Sequence, residues 1–326
     1  MGKLPVNGLT GTAEHAAIPL STGSIDEAVL AFVSRLCPTS DAQMLAAWKS
    51  SSAELFRVGR PGVEEGQVVV KRTSSSEVAA IAFDALEHLA DVVDAQDYAD
   101  AATIRPLGLD RALPALAMPY VPGPTLGDVL RHDPSQLRPL LGRVAAIMAQ
   151  LHEQSRSNAD GAASALATAQ DAVARARGCE RSTQEHAIPL DPDDVVRRSM
   201  DYNPNNMVMH PDGRIWLIDP SVRTVFAPLH HDIARFLYKC HKRLVTPPWN
   251  ARRLHVSFDF PASVRHFLVR YFAECSRPMR QSDADLVGVF LASFSRSGSS
   301  RDSLHFKFLR ATVYGPMLRR RTLVKG

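Results

Sequence analysis

Asp201-Tyr202-Asn203-Pro204-Asn205-Asn206 is the segment whose side chains are best suited to chemistry. A hairpin pattern follows: Met207-Val208-Met209, then His210-Pro211-Asp212-Gly213, then Arg214-Ile215-Trp216-Leu217-Ile218, ending in Asp219-Pro220. Asp-Gly supplies the turn between the two apolar runs. Three oxygen-bearing side chains, Asp201, Asn206 and Asp219, therefore flank one hairpin. Phosphoryl transfer needs such a set: a carboxylate near the attacking hydroxyl, and hard oxygen ligands for Mg²⁺. Asp201 suits the first task, Asn206 and Asp219 the second.

Other elements must hold these residues in place. Two extended runs, Glu54-Leu55-Phe56-Arg57-Val58 and Gln67-Val68-Val69-Val70-Lys71, are separated by glycine-rich and acidic turn residues and read as a β-hairpin. Ser74-x-x-Glu77 has the form of a capping box, and Val78, Ile81, Ala82, Ala85, Leu86 and Leu89 keep helical rhythm to about Val93. An apolar run from Leu113 to Val121 leaves through Pro122-Gly123-Pro124 into a helical pattern at Leu126 to Leu130, which fits a hinge between two lobes. Helices are expected at Ile25–Leu36, Leu137–Gln154, Ala162–Arg177, Ile233–Leu244, Ala262–Cys275, Ala284–Phe294 and Phe306–Leu318.

In this order the landmarks resemble the aminoglycoside phosphotransferase and choline kinase-like small-molecule kinases. Asp201-x-x-x-x-Asn206, the hairpin and Asp219 resemble that family's catalytic and metal-binding loops. The resemblance implies that Lys71 holds the α- and β-phosphates. It also implies that Met118-Pro119-Tyr120-Val121 is the hinge, with Met118, Tyr120 and Val121 meeting the adenine. Ala145 to His152 resembles the helix ending in Leu-His, and His231-Asp232-Ile233-Ala234 the helix start whose aspartate, here Asp232, braces the catalytic loop. The fold implied is α+β and bilobal, protein-kinase-like, with a small β-rich N-lobe and a large, mostly helical C-lobe. Expected boundaries are a flexible leader at 1–24, the N-lobe at 25–121 and the C-lobe at 122–326.

The chain departs from the family at four places. Ser199 stands where a histidine is usual, two residues before the catalytic aspartate, and Met200 where a glycine is common. The glutamate that normally pairs with the lysine is replaced by Ala82, with Glu77, Asp84 and Glu87 as neighbouring candidates; Glu87 is the one assigned as support. Asp219-Pro220-Ser221 replaces Asp-Phe-Gly, which similar small-molecule kinases share. No Gly-x-Gly-x-x-Gly loop is present; Ser50-Ser51-Ser52, and Ser52 in particular, either contacts phosphates or is a plain serine turn.

Composition narrows the function further. The four cysteines, Cys37, Cys179, Cys240 and Cys275, are scattered and read as reduced thiols of a cytoplasmic protein. No stretch reaches the length of a membrane-spanning helix. From Ile233 onward there are 18 Lys and Arg against 5 Asp and Glu, so the C-terminal third is strongly basic. With no nucleic-acid motif and with Phe267, Tyr271 and Phe272 at core spacing, nucleic acid is not the expected partner. The resemblance implies an O-phosphotransferase using Mg²⁺ and ATP, or GTP, on a small-molecule acceptor. The basic balance favours a neutral or anionic acceptor, such as a nucleoside, sugar, phosphorylated metabolite or natural product, over an aminoglycoside. Arg197 and Arg198 are candidates to touch it, while Asp191-Pro192-Asp193-Asp194 argues the other way unless it is a helix-start charge cluster. A pseudokinase that binds nucleotide or a protein partner without turnover is the alternative from a different class.

Overall fold

The computed structural model describes residues 16–17, 24–37, 41–49, 53–96, 98–155, 166–167, 191–197, 200–220, 226–245 and 259–296. Ser52, Cys179, Arg198, Ser199, the Phe306–Leu318 helix and all of Ala162–Arg177 except residues 166–167 lie outside them. The chain divides into two compact units, Met1–Asp128 with Val208–Val222, and Val129–Met207 with Arg223–Gly326. Asp219 and the body of its hairpin therefore belong with the sheet, while Asp201 and Asn206 belong with the helices.

The first unit is built on a six-stranded antiparallel sheet in the order β1-β2-β3-β4-β7-β6. Its strands are β1 (Ala16–Ala17), β2 (Gln43–Lys49), β3 (Glu54–Gly59), β4 (Val68–Arg72), β6 (Gly108–Asp110) and β7 (Ala115–Pro119). Alternation along the strands sends Phe56, Val58, Val68, Val70, Ala115 and Ala117 to one face, where they pack with Val29, Phe32 and Val33 of α1 (Ser24–Leu36). The opposite face carries Val69, Leu116 and Met118, packed with Ala82 and Leu86 of α2 (Ser76–Asp94). Full burial of a Val, Leu or Phe side chain contributes roughly 1.5–3 kcal/mol, so two-sided burial is what fixes β4, the strand that bears Lys71.

The structure corrects the reading of α2 in two respects. Its N-cap is Ser75, whose hydroxyl accepts from the Val78 amide at 3.3 Å, so Ser74 and Glu77 do not form a capping box. The buried stripe is Ala79, Ala82, Leu86, Leu89, Ala90 and Val93, whereas Val78 and Ile81 face solvent. β2 has no counterpart in the sequence reading: Gln-Met-Leu-Ala-Ala-Trp-Lys is rich in helix formers, and pairing with β3 overrides that preference.

A second sheet in this unit joins β5 (Ala101–Thr103), β10 (Ile215–Leu217) and β9 (Met207–Met209). β10 runs parallel to β5, and the Thr103 hydroxyl donates to the Leu217 carbonyl at 2.7 Å. The connector Pro122-Gly123-Pro124 lies against β9, with the Met209 amide donating to the Pro124 carbonyl at 2.9 Å. Gly123 adopts φ +125, and a Cβ there would sit 2.2 Å from the Met209 carbonyl oxygen, so only glycine fits. Helix α3 (Leu126–His132) follows, capped by Thr125, which accepts from the Asp128 amide at 3.1 Å.

The second unit is mostly helical: α4 (Leu137–Gln154), α5 (Leu229–Val245), α6 (Phe260–Glu274) and α7 (Gln281–Arg296), with β8 (Val195–Arg197) antiparallel to β11 (Phe226–Pro228). α4 packs on α6, and α5 on α7. Phe236, Phe267, Tyr271 and Phe290 are buried between them, so the α6 aromatics are core as their spacing suggests. Among the described residues no helix is long and apolar enough to cross a membrane.

Candidate active site

Lys71 ends the buried run of β4 and shares the face of Val69. Asp219 follows β10 by two residues, and β5 fixes that strand. The Lys71 ammonium meets the Asp219 carboxylate, Nζ to Oδ1, at 2.8 Å. The lysine side chain is 17% exposed and that of the aspartate 40% exposed, so the pair stands at a surface open to a ligand. Ala82 is buried under the sheet in the place of the family glutamate, and Glu87 lies exposed on α2. The ion partner of Lys71 is thus Asp219 and not Glu87.

The residues expected at the hinge are placed unequally. Met118 and Val121 are buried, and the Tyr120 amide donates to the Gln67 carbonyl at 2.9 Å. That amide is therefore committed to the sheet. The Tyr120 ring lies under the Arg57 guanidinium, 3.8 Å from its centroid, a cation–π contact that ties β3 to the hinge. Ser52 lies outside the described residues, between Lys49 and Glu54, which pair across the β2–β3 hairpin.

In the second unit Asp201 sits between two fully buried neighbours, Met200 and Tyr202. The Asp201 carbonyl accepts from the Asn203 amide at 2.7 Å and from Asn206 Nδ2 at 3.1 Å. Asn203 caps the 3-10 turn Pro204–Asn206, its side chain accepting from the Asn205 amide. With Nδ2 spent on that bond, the Asn206 Oδ1 is the atom left to accept or to ligate. Beneath the loop, the His152 ring meets Tyr202 edge-on at 5.4 Å and its Nδ1 lies 2.7 Å from the Tyr271 hydroxyl. Asp232 is completely buried, 3.2 Å from His231 Nδ1 and 3.9 Å from His152 Nε2. It thus stands in the support beneath Asp201 and not among groups that face solvent.

The residue that the sequence reading passed over is Arg235. It projects from α5 and brings Nη2 within 2.8 Å of Asp201 Oδ1. The contact is an ion pair and not an aligned hydrogen bond, since Asp201 Oδ1 and Arg235 Nε both lack a hydrogen-bond partner. Lys239 follows one turn later, and its amine is held below the usual lysine range by burial first and then by the positive charge of Arg235. The spacing Arg235-x-x-x-Lys239 was the available signal, because residues four apart share a helix face. Arg197, half-buried on β8, makes no contact with Asp201 or Arg235 among the described residues, and Arg198 lies outside them.

A second charged cluster is closed. Arg277 reaches Asp194 at 2.6 and 2.9 Å and Asp283 at 2.7 and 2.9 Å, while His230 Nε2 lies 2.8 Å from Asp283 Oδ1. Asp194, His230 and Asp283 are close enough together to hold a metal ion, but the guanidinium already fills the space between the two carboxylates. Arg280 binds Asp191 at 2.7 Å. Asp191 and Asp194 of the acidic stretch before Asp201 are thereby held in ion pairs.

The Asp219 carboxylate, partly exposed in the first unit, and the Asn206 Oδ1 in the second are each a hard oxygen of the kind that Mg²⁺ takes. No family model matches the sequence, and no curated protein matches it. Solved structures do match. Macrolide 2'-phosphotransferase type I aligns with a TM-score of 0.52 at 12% identity, over 91% of this chain and 98% of that one. The GDP complex of wild-type aminoglycoside 2'-phosphotransferase-IIIa aligns with a TM-score of 0.51, also at 12% identity, over 91% and 98%. The fold is that of the aminoglycoside phosphotransferase-like, protein-kinase-like proteins: an antiparallel-sheet unit and a mostly helical unit.

Proposed function

We propose that this chain is a small-molecule O-phosphotransferase that moves the γ-phosphoryl of ATP or GTP to an acceptor hydroxyl. The observation that carries the reading is the Lys71–Asp219 ion pair, which joins at 2.8 Å two residues 148 positions apart that were each singled out for nucleotide handling. The names of the structural neighbours, both phosphotransferases, support it as well.

In this reading Asp201 accepts the proton of the acceptor hydroxyl, its Oδ1 steadied by Arg235 and its Oδ2 turned to the substrate. The acceptor oxygen bonds to the γ-phosphorus while the bond from that phosphorus to the bridging oxygen breaks, and its electron pair leaves with the diphosphate. Lys71 orients the α- and β-phosphates, and backbone groups around Pro119 and Val121 receive the base. Asp219 and the Asn206 Oδ1 would hold Mg²⁺, which when bound neutralises charge on the phosphate oxygens. Positioning and electrostatics carry the rate enhancement, without a covalent intermediate. A cytoplasmic setting accords with Cys37, Cys240 and Cys275 being thiols and not disulfides.

A second reading, a nucleotide-binding pseudokinase, is favoured by one observation: the Arg235 guanidinium already lies against Asp201. Diphosphate release measured with Mg-ATP and Mg-GTP across an acceptor panel separates the two. Asp201→Ala is expected to lower acceptor-dependent turnover by about 10²–10⁴-fold with nucleotide affinity retained, the range for loss of a general base. Asp219→Ala is expected to weaken Mg-nucleotide binding. Nucleotide binding without turnover on any acceptor would favour the pseudokinase, and absence of nucleotide binding would defeat both readings.

A further inference from the structure

Helix α5 presents two cations on the face that carries the ion pair with Asp201. Arg235 is at 2.8 Å, and Lys239 stands one turn further along the same face of α5. Lys239 feels both Asp201 and Arg235 and is also within electrostatic reach of Lys242 and Arg243. Among the described residues no carboxylate forms an ion pair with Lys239, and the Arg235 Nε is a donor without a partner. Arg235 is the ion-pair partner of Asp201, and Lys239 stands on the same helix face one turn away. Asp232, the carboxylate in the support beneath Asp201, is completely buried and lies against His231 and His152.

We propose that Arg235 and Lys239 form an anion subsite that selects an acceptor carrying a phosphate or carboxylate group near the hydroxyl to be phosphorylated. This deepens the kinase reading and rests on it for the identity of Asp201. A planar guanidinium and a half-buried ammonium on one helix face are the donors that an oxyanion requires. Partial burial makes the Lys239 charge costly until it is matched, so binding an anion there relieves that cost. A polycationic acceptor meets the same face as repulsion, which sets this chain apart from a kinase of aminoglycosides.

The subsite can be tested without knowing the acceptor. The probe is inorganic phosphate alone, on the full-length protein with a non-hydrolysable Mg-nucleotide filling the Lys71 side, and the readout is the acetylation rate of each lysine by mass spectrometry. Saturating phosphate is expected to slow acetylation of Lys239 about tenfold relative to surface lysines, because a charge-assisted bond keeps the ammonium covered. Acetate tests the carboxylate source and methyl phosphate the phosphate ester, while glycerol and methylammonium should give no protection. Arg235→Gln is expected to remove the protection.

The kinetic arm compares matched alcohols with neutral, phosphorylated, carboxylated and aminated forms. Lys239→Gln should raise KM for the anionic member about tenfold or more, the value of one hydrogen bond to a charged group, with little change in kcat or in the nucleotide KM. Equal protection by phosphate and glycerol, or a preference for neutral or aminated acceptors, would overturn the subsite. Loss of nucleotide binding with Lys239 still protected would sink the kinase reading and leave the subsite standing. Turnover without protection would do the reverse.

Discussion

Helix α5 serves two charged clusters that have been put to opposite uses. Near its start, His230 enters a cluster with Asp194, Asp283 and Arg277 in which both aspartates and the histidine are almost fully buried and every carboxylate has a cationic partner. Five residues along, Arg235 faces Asp201 in a pair whose side chains are 33% and 32% exposed and whose alignment is incomplete. One cluster is sealed and satisfied, the other open and short of negative charge. A sealed network locks β8 and the starts of α5 and α7 in register, whereas an open one has donors left over for a ligand. The sealed cluster holds the helix that presents the open one.

Breaking the sealed cluster should have the largest effect on stability. Arg277→Met leaves two carboxylates buried without a counter-ion, and removal of one partner from such a network costs about 3–5 kcal/mol. Urea unfolding followed by circular dichroism checks this. Adding Asp194→Asn and Asp283→Asn to Arg277→Met should recover part of the loss, since the uncompensated charge is the main penalty.

Acid attacks the same cluster more gently. Burial works to raise the Asp283 carboxyl, but bonds from Arg277, then His230 and the Arg280 amide, prevail and hold it well below the usual carboxylate range. Asp191 is likewise lowered, by Arg280 first. A carboxylate lowered in the folded state contributes stability above its unfolded pKa of about 3.9 and loses it as pH falls toward the folded value. Unfolding free energy should therefore be flat from neutral pH to about pH 5 as far as these groups are concerned, and fall below about pH 4. With Asp283→Asn the fall below pH 4 should be shallower.

The contrast also explains what the sequence could tell. The β3–β4 hairpin, the Asp-Gly hairpin and the four described C-terminal helices were legible because apolar period and turn residues agree locally. The hairpin that Asp201, Asn206 and Asp219 flank was legible because its strands and turn are contiguous in sequence. The α2 stripe was misplaced in part: Ala82, Leu86 and Leu89 are buried as their spacing suggests, but Val78 and Ile81 face solvent, and Ala79 and Ala90, too small to mark a stripe, are buried. The partner of Lys71 was sought among the acidic residues of the next helix and left open there, because Asp219 comes from the segment after β10, 148 residues away. Arg277 was invisible for a similar reason: its partners are 83 residues back and 6 ahead, and no periodicity links them.

Arg235→Gln gives the smallest expected change in stability and the sharpest test of the comparison. If the Asp201 pair is a ligand-directed contact and not a structural one, its removal costs no more than a partly exposed, imperfectly aligned ion pair does, about 0–1 kcal/mol. The same substitution should abolish discrimination between anionic and neutral acceptors, because it removes one of the two cations while leaving the base in place. Urea unfolding and the ratio of kcat/KM for a matched acceptor pair are read on the same preparation. A loss of 3 kcal/mol or more, comparable to Arg277→Met, would place Arg235 in the scaffold and reduce the two clusters to a single kind. An unchanged stability with a collapsed acceptor ratio would keep them distinct, since only a side chain whose binding capacity is directed outward can be lost at little cost to the fold and at large cost to selectivity.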